Sequence, residues 1–403
     1  MDSISNEYLT NTILKGCFPQ ASGIQLVECK KIENLFNVSS DIIRLTVEFQ
    51  ERGTTQNKKL ILKIPFTNTA FRSYCTEYGL FYKEKQMYEV MIPLLNKIPT
   101  VSKILPVHYL TIDTGTVVIE DLAVQGYKVA GRQKFFDFKQ SRHTLKAMAE
   151  FHAATFKVHR ENPHLLQDPM FGRNMAIDAR LDFIITWHPV ICELFKRKNA
   201  ANMVSKFDAA VELLKKEDKA VYAKVNPAHF KIVLLNHGDL RNDNIMLKQN
   251  KNDEIEDVKF IDFQMSWWTT PAFDFLFYLT FSLPIQVIDK QFDDLVDAYW
   301  QYFSEALLQL QCPFDHEKTD FLRDIEKLQF MFVIWLFAWC SFNCPLEPDV
   351  IRRTFKHDDT ETFKLYCECL DDEQFTQSLW GWLQYCEKIN IFDAMGNEAM
   401  KED

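Results

Sequence analysis

His237-Gly-Asp239-Leu-Arg-Asn-Asp-Asn244, followed by the apolar run Val258-Lys-Phe-Ile261 and then Asp262-Phe-Gln264, gathers acids and amides among short β-like patches at 232–235, 244–247 and 258–261. Asp and Asn are ordinary turn residues, so each of them alone reads as a loop cap. Their joint order is different: HxDxxxxN, a strand, then Asp-Phe is more than turn formation requires. His237 fits the holding of backbone by hydrogen bonds better than it fits chemistry.

Working outward, three β-rich runs open the chain, at 23–32, 41–50 and 59–66, with the turn Glu51-Arg-Gly-Thr-Thr-Gln-Asn57 between the last two. They predict an antiparallel meander. A helix is predicted over about 72–95, where Phe81, Glu84, Tyr88, Met91 and Leu95 share one face by three- and four-residue steps. A carboxylate therefore sits inside an apolar stripe. Strands near 107–112 and 116–120 precede a polar connector at 123–133, which puts a lobe boundary near residue 125. Beyond it the patterns are mainly helical, at about 139–157, 178–197, 202–216, 288–309, 318–342 and 372–388. No internal repeat is present. A small β-rich lobe, 1–125, followed by a large helical lobe, 126–403, is the order of a kinase-like α+β fold.

Phosphoryl transfer from ATP needs a residue that receives the acceptor proton, oxygen ligands for magnesium, and a cation on the non-transferred phosphates. Asp239 suits the first role. Asn244, five residues on, and Asp262, at the end of an apolar strand, suit the second. Lys63 lies in Leu60-Ile-Leu-Lys63-Ile-Pro-Phe66, where an unpaired ammonium is costly. It needs an anion. Glu84 is its natural partner, with Lys59 and Glu77 as competing choices for the pair.

These residues resemble the choline kinase and aminoglycoside phosphotransferase superfamily, and within it the ecdysteroid kinase-like family. The closer resemblance rests on Asn37-x-x-Ser40-x-x-x-Arg44, Phe81-Tyr-Lys-Glu84-x-x-x-Tyr88 with Pro93, Val118-Ile-Glu-Asp-Leu122, Phe151-His-Ala153, His237-Gly-Asp-Leu with Asn244-Ile-Met246, and Ile261-Asp-Phe-Gln264 with Pro271-Ala-x-Asp274. It implies a two-lobed protein-kinase-like fold, ATP under the first hairpin near Ser40, and adenine against the backbone from Glu120 to Leu122. It also implies magnesium, transfer to a steroid or secondary-metabolite alcohol, and a structural Asp274 that anchors the catalytic loop. Two stretches depart from the family. The hairpin Glu33-Asn-Leu-Phe-Asn37-Val-Ser-Ser-Asp41 lacks the usual glycine, and Arg241 and Asp243 stand where Trp and Asn are common. The second departure predicts altered acceptor preference.

Eleven residues separate Asp262 from Asp274, too few for an activation segment that docks a protein substrate, so a small acceptor is expected. Trp267, Trp268, Phe273, Phe183 and Trp187 are candidates for an apolar acceptor pocket, although aromatic residues at helical spacing are more often core. The alternatives are a pseudokinase acting as a binding protein and a choline- or sugar-type kinase.

Composition sets the outer bounds. At 403 residues, with 47% hydrophobic content and 34 Phe, the chain exceeds what one core usually organises. A net charge of -10 without a Lys/Arg block argues against nucleic acid or an anionic membrane as main partner. The acidic start Met1-Asp-Ser-Ile-Ser-Asn-Glu predicts no secretory signal and a cytosolic location. The apolar run 330–339 is about half of a membrane span and predicts a buried helix. Ten scattered cysteines, Cys340 with Cys344 and Cys367 with Cys369 among them, read as reduced thiols and not as a zinc framework.

Overall fold

The computed structural model describes residues 5–32, 40–65, 75–112, 115–131, 135–216, 218–347, 350–351, 354 and 359–399. The hairpin residues 33–39, the end of the third run at Phe66, residues 72–74 of the predicted helix and 132–133 of the connector lie outside them. By contacts the chain forms two compact units, one of Met1–Ala130 with Asn244–Ser266 and one of Gly131–Asp243 with Trp267–Asp403.

The first unit is built on a five-stranded antiparallel sheet. Its strands are β1 (Ser22–Ile32), β2 (Ser40–Glu51), β3 (Thr54–Pro65), β4 (His108–Ile112) and β5 (Thr116–Glu120), in the order β1-β2-β3-β5-β4. Alternation dictates which face is buried. Ile43, Leu45, Val47 and Phe49 of β2, with Leu60 and Leu62 of β3, point into one core. That core is closed by the helical segment α1 (6–17), which contributes Leu9, Ile13 and Leu14, and by Phe18 behind it. Phe18 stacks on Phe49 with ring centroids 4.2 Å apart. Lys63, one position out of phase with Leu62, therefore faces away from this core. The helical segment α2 (80–95) starts at Gly79, whose φ of 66° suits glycine, and passes through a π-helical turn at Met87–Met91. A second sheet, β6-β8-β9, joins β6 (Tyr127–Val129), β8 (Ile245–Gln249) and β9 (Ile255–Phe260).

The second unit is mainly helical. It contains α3 (Phe138–Glu161), α4 (Arg180–Arg197), α5 (Ala201–Leu214), α6 (Ala272–Ser282), α7 (Ile285–Gln309), α8 (Lys318–Leu328), α9 (Met331–Asn343), α10 (Thr360–Glu368), α11 (Glu373–Lys388) and α12 (Ile391–Ala399). α3 begins with a reciprocal cap, in which Asp137 accepts from the Gln140 amide and Gln140 accepts from the Asp137 amide. The single helix expected over 318–342 is two, α8 and α9, bent by 62°. No single helix among the described residues is long and apolar enough to cross a membrane; this bent pair reaches that length only together. Every α9 residue from Met331 to Ser341 is buried. The short strands β7 (Leu234–Asn236) and β10 (Trp267–Thr269) pair antiparallel, with Trp267 opposite Asn236.

Asp324 on α8 is buried and accepts from the Thr270 hydroxyl at 2.6 Å. Burial pushes its carboxyl up to about 6, against the pull of that hydrogen bond. The folded state thus holds this proton more tightly than the unfolded chain does, and stability is lost as pH rises from about 4 to about 6. Asp324→Asn keeps an acceptor without the charge. It should exceed the wild type in stability by about 2 kcal/mol at about pH 8 and match it below about pH 4, read by denaturant titration at both values.

Candidate active site

Lys63 is the hub of the first unit's polar site. Its Nζ lies 2.9 Å from Glu84 Oε1 and 2.6 Å from Asp262 Oδ1. Local sequence accounts for each member. Strand parity turns Lys63 off the main core, and the apolar face of α2 carries Glu84 inward until it is 1% exposed. β9 delivers Asp262 just beyond its end. Lys59 and Glu77, the competing choices, are both exposed. Burial by itself lowers the Lys63 pKa, but the charges of Asp262 and Glu84 outweigh it, and the ammonium is held protonated. Burial pushes Glu84 upward, Lys63 opposes this, and the Asp262 charge adds to it.

Two carboxylates around one ammonium leave a net negative site. Glu84 Oε2 is buried and has no hydrogen-bond partner among the described residues. Such a site fits a hard divalent cation, for which carboxylate and amide oxygens are the suitable donors, and it fits phosphate, for which Lys63 is the suitable partner. Asp262 itself has φ 68° and ψ 67°, a left-handed conformation that is uncommon outside glycine and occurs at sites held in place by their surroundings. Gln264 Nε2 donates to Asp262 Oδ2 at 3.2 Å, which gives the Asp-Phe-Gln ending a physical purpose. Phe263 sets its ring edge against Tyr88, and Tyr88 stacks on His108.

The other residues expected to meet nucleotide or metal also lie in this unit. Ser40 opens β2 and is buried, and Asn244 is buried, with its carbonyl accepting from the Ile261 amide at 3.1 Å. The Glu120 carboxylate accepts from the Val107 amide at 2.9 Å, and Leu122 is buried at the start of a turn capped by Asp121. Arg44 reaches Asp121 with Nε at 2.6 Å and Nη2 at 3.4 Å, so the Arg of one quoted motif fixes the Glu-Asp-Leu connection of another.

In the second unit, Asp239 belongs to a loop fixed from behind. Asp274, fully buried at the start of α6, accepts from the His237 amide at 2.6 Å and the Gly238 amide at 2.8 Å. The Asp239 amide donates to His237 Nδ1 at 3.3 Å. His152 Nε2 lies 3.1 Å from Asp274 Oδ2, and His152 Nδ1 lies 2.7 Å from the Tyr299 hydroxyl. His152, Tyr299 and Asn236, whose side chain accepts from the Asp274 amide, received no role from sequence reasoning. The quoted Phe-His-Ala segment was the available signal. Asp274→Asn sets an NH2 group against one of two buried amides, and should cost about 3 kcal/mol in denaturant titration.

Arg241 lies 3.2 Å from Asp239 Oδ1 and 3.0 Å from Asp243 Oδ2, and its guanidinium sits 4.4 Å from the centroid of Phe342. Thus the two residues that depart from the family pattern pair with each other, and Arg241 also pairs with Asp239. A cavity of about 470 Å³ in this unit is lined by Gly172, Arg173, Asp178, Tyr222, Val225 and Trp267, among others. Of the five aromatic pocket candidates Trp187, Trp267, Trp268 and Phe273 are all buried, and Trp267 also lines the cavity.

The sequence model of the Ecdysteroid kinase-like family matches residues 35–312. No curated protein matches the chain closely enough to count as a relative.

Proposed function

Because the chain belongs to the ecdysteroid kinase-like family, we propose that it is an ATP- and magnesium-dependent phosphotransferase acting on a hydroxyl of a small molecule, an ecdysteroid or another lipophilic alcohol. The observation that carries the reading is Lys63 shared between Glu84 and Asp262. This is the charge arrangement expected where a lysine holds non-transferred phosphates and an aspartate holds magnesium. On this reading the two-lobed kinase-like architecture assigns nucleotide to residues 1–125, with Ser40 and the 120–122 backbone contributing, and assigns the catalytic loop, metal ligands and acceptor to 126–403.

Bound ATP and magnesium would supply the phosphoryl group and much of the charge neutralisation. Lys63, oriented by Glu84, would hold phosphate oxygens, and Asn244 and Asp262 would hold the metal. Asp239 would take the proton of the acceptor hydroxyl as that oxygen bonds to phosphorus and ADP leaves. The cavity, whose walls combine Trp267, Val225 and Pro227 with Arg173, Asp178, Tyr222 and Asn226, has a volume that suits a drug-sized acceptor with both apolar and polar faces.

The test is incubation of the protein with ATP, magnesium and an extract of lipophilic alcohols, followed by mass spectrometry for compounds that gain one phosphate. The reading fails if no alcohol gains phosphate and ATP with magnesium leaves the melting temperature unchanged.

A further inference from the structure

We propose that His188, Cys192 and Asp208 form a binding site for a zinc ion, separate from the phosphoryl-transfer residues. His188 and Cys192 are four apart on α4, hence on one helix face, and Asp208 faces them from α5. Their ligand atoms converge within 4.8 Å of one another. His188 Nε2 is 2.8 Å from Asp208 Oδ1, and Cys192 Sγ is 3.7 Å from each of those atoms.

These separations are close to what zinc imposes. Bonds of about 2.0–2.1 Å to nitrogen and oxygen and about 2.3 Å to sulfur, in a tetrahedron, put ligand atoms roughly 3.3–3.6 Å apart. The thiol already stands near that distance from both neighbours, so only the His188–Asp208 contact must open, by about half an ångström. The ring of Phe207 stacks on His188 with centroids 5.6 Å apart and so restrains the imidazole. Side-chain exposures of 23% for His188 and 46% for Asp208 leave a path for the ion and room for water as a fourth ligand. A mixed nitrogen, sulfur and oxygen set suits zinc, whereas magnesium and calcium call for oxygen alone. Cys192 would bind as thiolate, its proton passing to water, and the bound ion would tie α4 to α5.

The competing account is a histidine–carboxylate hydrogen bond beside a bystander thiol. Metal-stripped full-length protein titrated with Co2+ distinguishes the two. The expected result is a saturable near-ultraviolet thiolate-to-cobalt absorption at one equivalent, abolished by Cys192→Ser and shifted to at least about ten-fold weaker binding by Asp208→Asn. Zn2+ should raise the melting temperature of the wild type and not that of Cys192→Ser. Absence of the absorption, or its persistence in Cys192→Ser, overturns the proposal. Should Cys192→Ser fail to fold, His188→Gln takes its place, with the same loss expected and persistence again overturning the site.

Discussion

Asp239→Asn should reduce phosphoryl transfer by about a thousand-fold while leaving the fold and ATP binding in place. The substitution keeps size and hydrogen-bonding capacity but removes the carboxylate proposed to take the acceptor proton. A thousand-fold loss corresponds to about 4 kcal/mol of barrier. The competing explanation is structural, because the same change removes the charge paired with Arg241. That pair is mostly buried, but Arg241 keeps Asp243 and the face of Phe342 and the amide that replaces the carboxylate can still accept its hydrogen bond, so the change should cost about 1–3 kcal/mol. The loop backbone is held by Asp274 through the 237 and 238 amides, which the substitution leaves in place. Turnover measured by ADP release, alongside melting temperature with and without ATP, separates the effects. A variant within ten-fold of wild-type turnover would remove Asp239 from the chemistry.

Asp262→Ala should abolish the protection from heat that ATP with magnesium gives. At a ligand concentration a hundred times the dissociation constant, the wild type gains about 2.7 kcal/mol, and the variant should gain none. The ligand-free protein is affected in two opposing ways. Alanine at φ 68° strains the backbone by about 1–2 kcal/mol. Against this, removal of one of two carboxylates relieves Glu84, whose ionisation the Asp262 charge opposes, while Lys63 keeps its Glu84 partner. A modest fall in melting temperature is therefore expected, with complete loss of the nucleotide shift. Asp262→Asn isolates the charge, since asparagine accepts the left-handed conformation more readily. Undiminished protection by ATP in both variants would take Asp262 out of the metal site.

Short-range patterns carried most of what was legible in the sequence. The meander, the α2 stripe and the Lys63–Glu84 pair follow from periods of two and of three to four, which fix the face a side chain takes before tertiary structure is known. The second anion on Lys63 was not legible, since Asp262 lies 199 residues away and only folding brings them together. Periodicity did not reveal α6, because Ala272–Ser282 is buried on every side and has no amphipathic period to read; the family resemblance alone implied a helix there, carrying Asp274. The break between α8 and α9 was missed because Gln329 and Phe330 are ordinary helix residues, without proline or glycine to mark the bend. Residue type also left the aromatic pocket open: Trp267 and Trp268 are chain neighbours and both are buried, and of the two it is Trp267 that lines the cavity.

The doubly engaged Lys63 has a consequence for how ligands should enter. With Asp262 at 2.6 Å, the resting protein carries a built-in competitor for both incoming charges. In the roles proposed for them, the aspartate would block phosphate from the lysine, and the lysine would block metal from the aspartate. Binding is then an exchange of ions in which each newcomer frees the other's seat. Nucleotide and magnesium should accordingly show positive heterotropic linkage, each raising the other's affinity by the same factor.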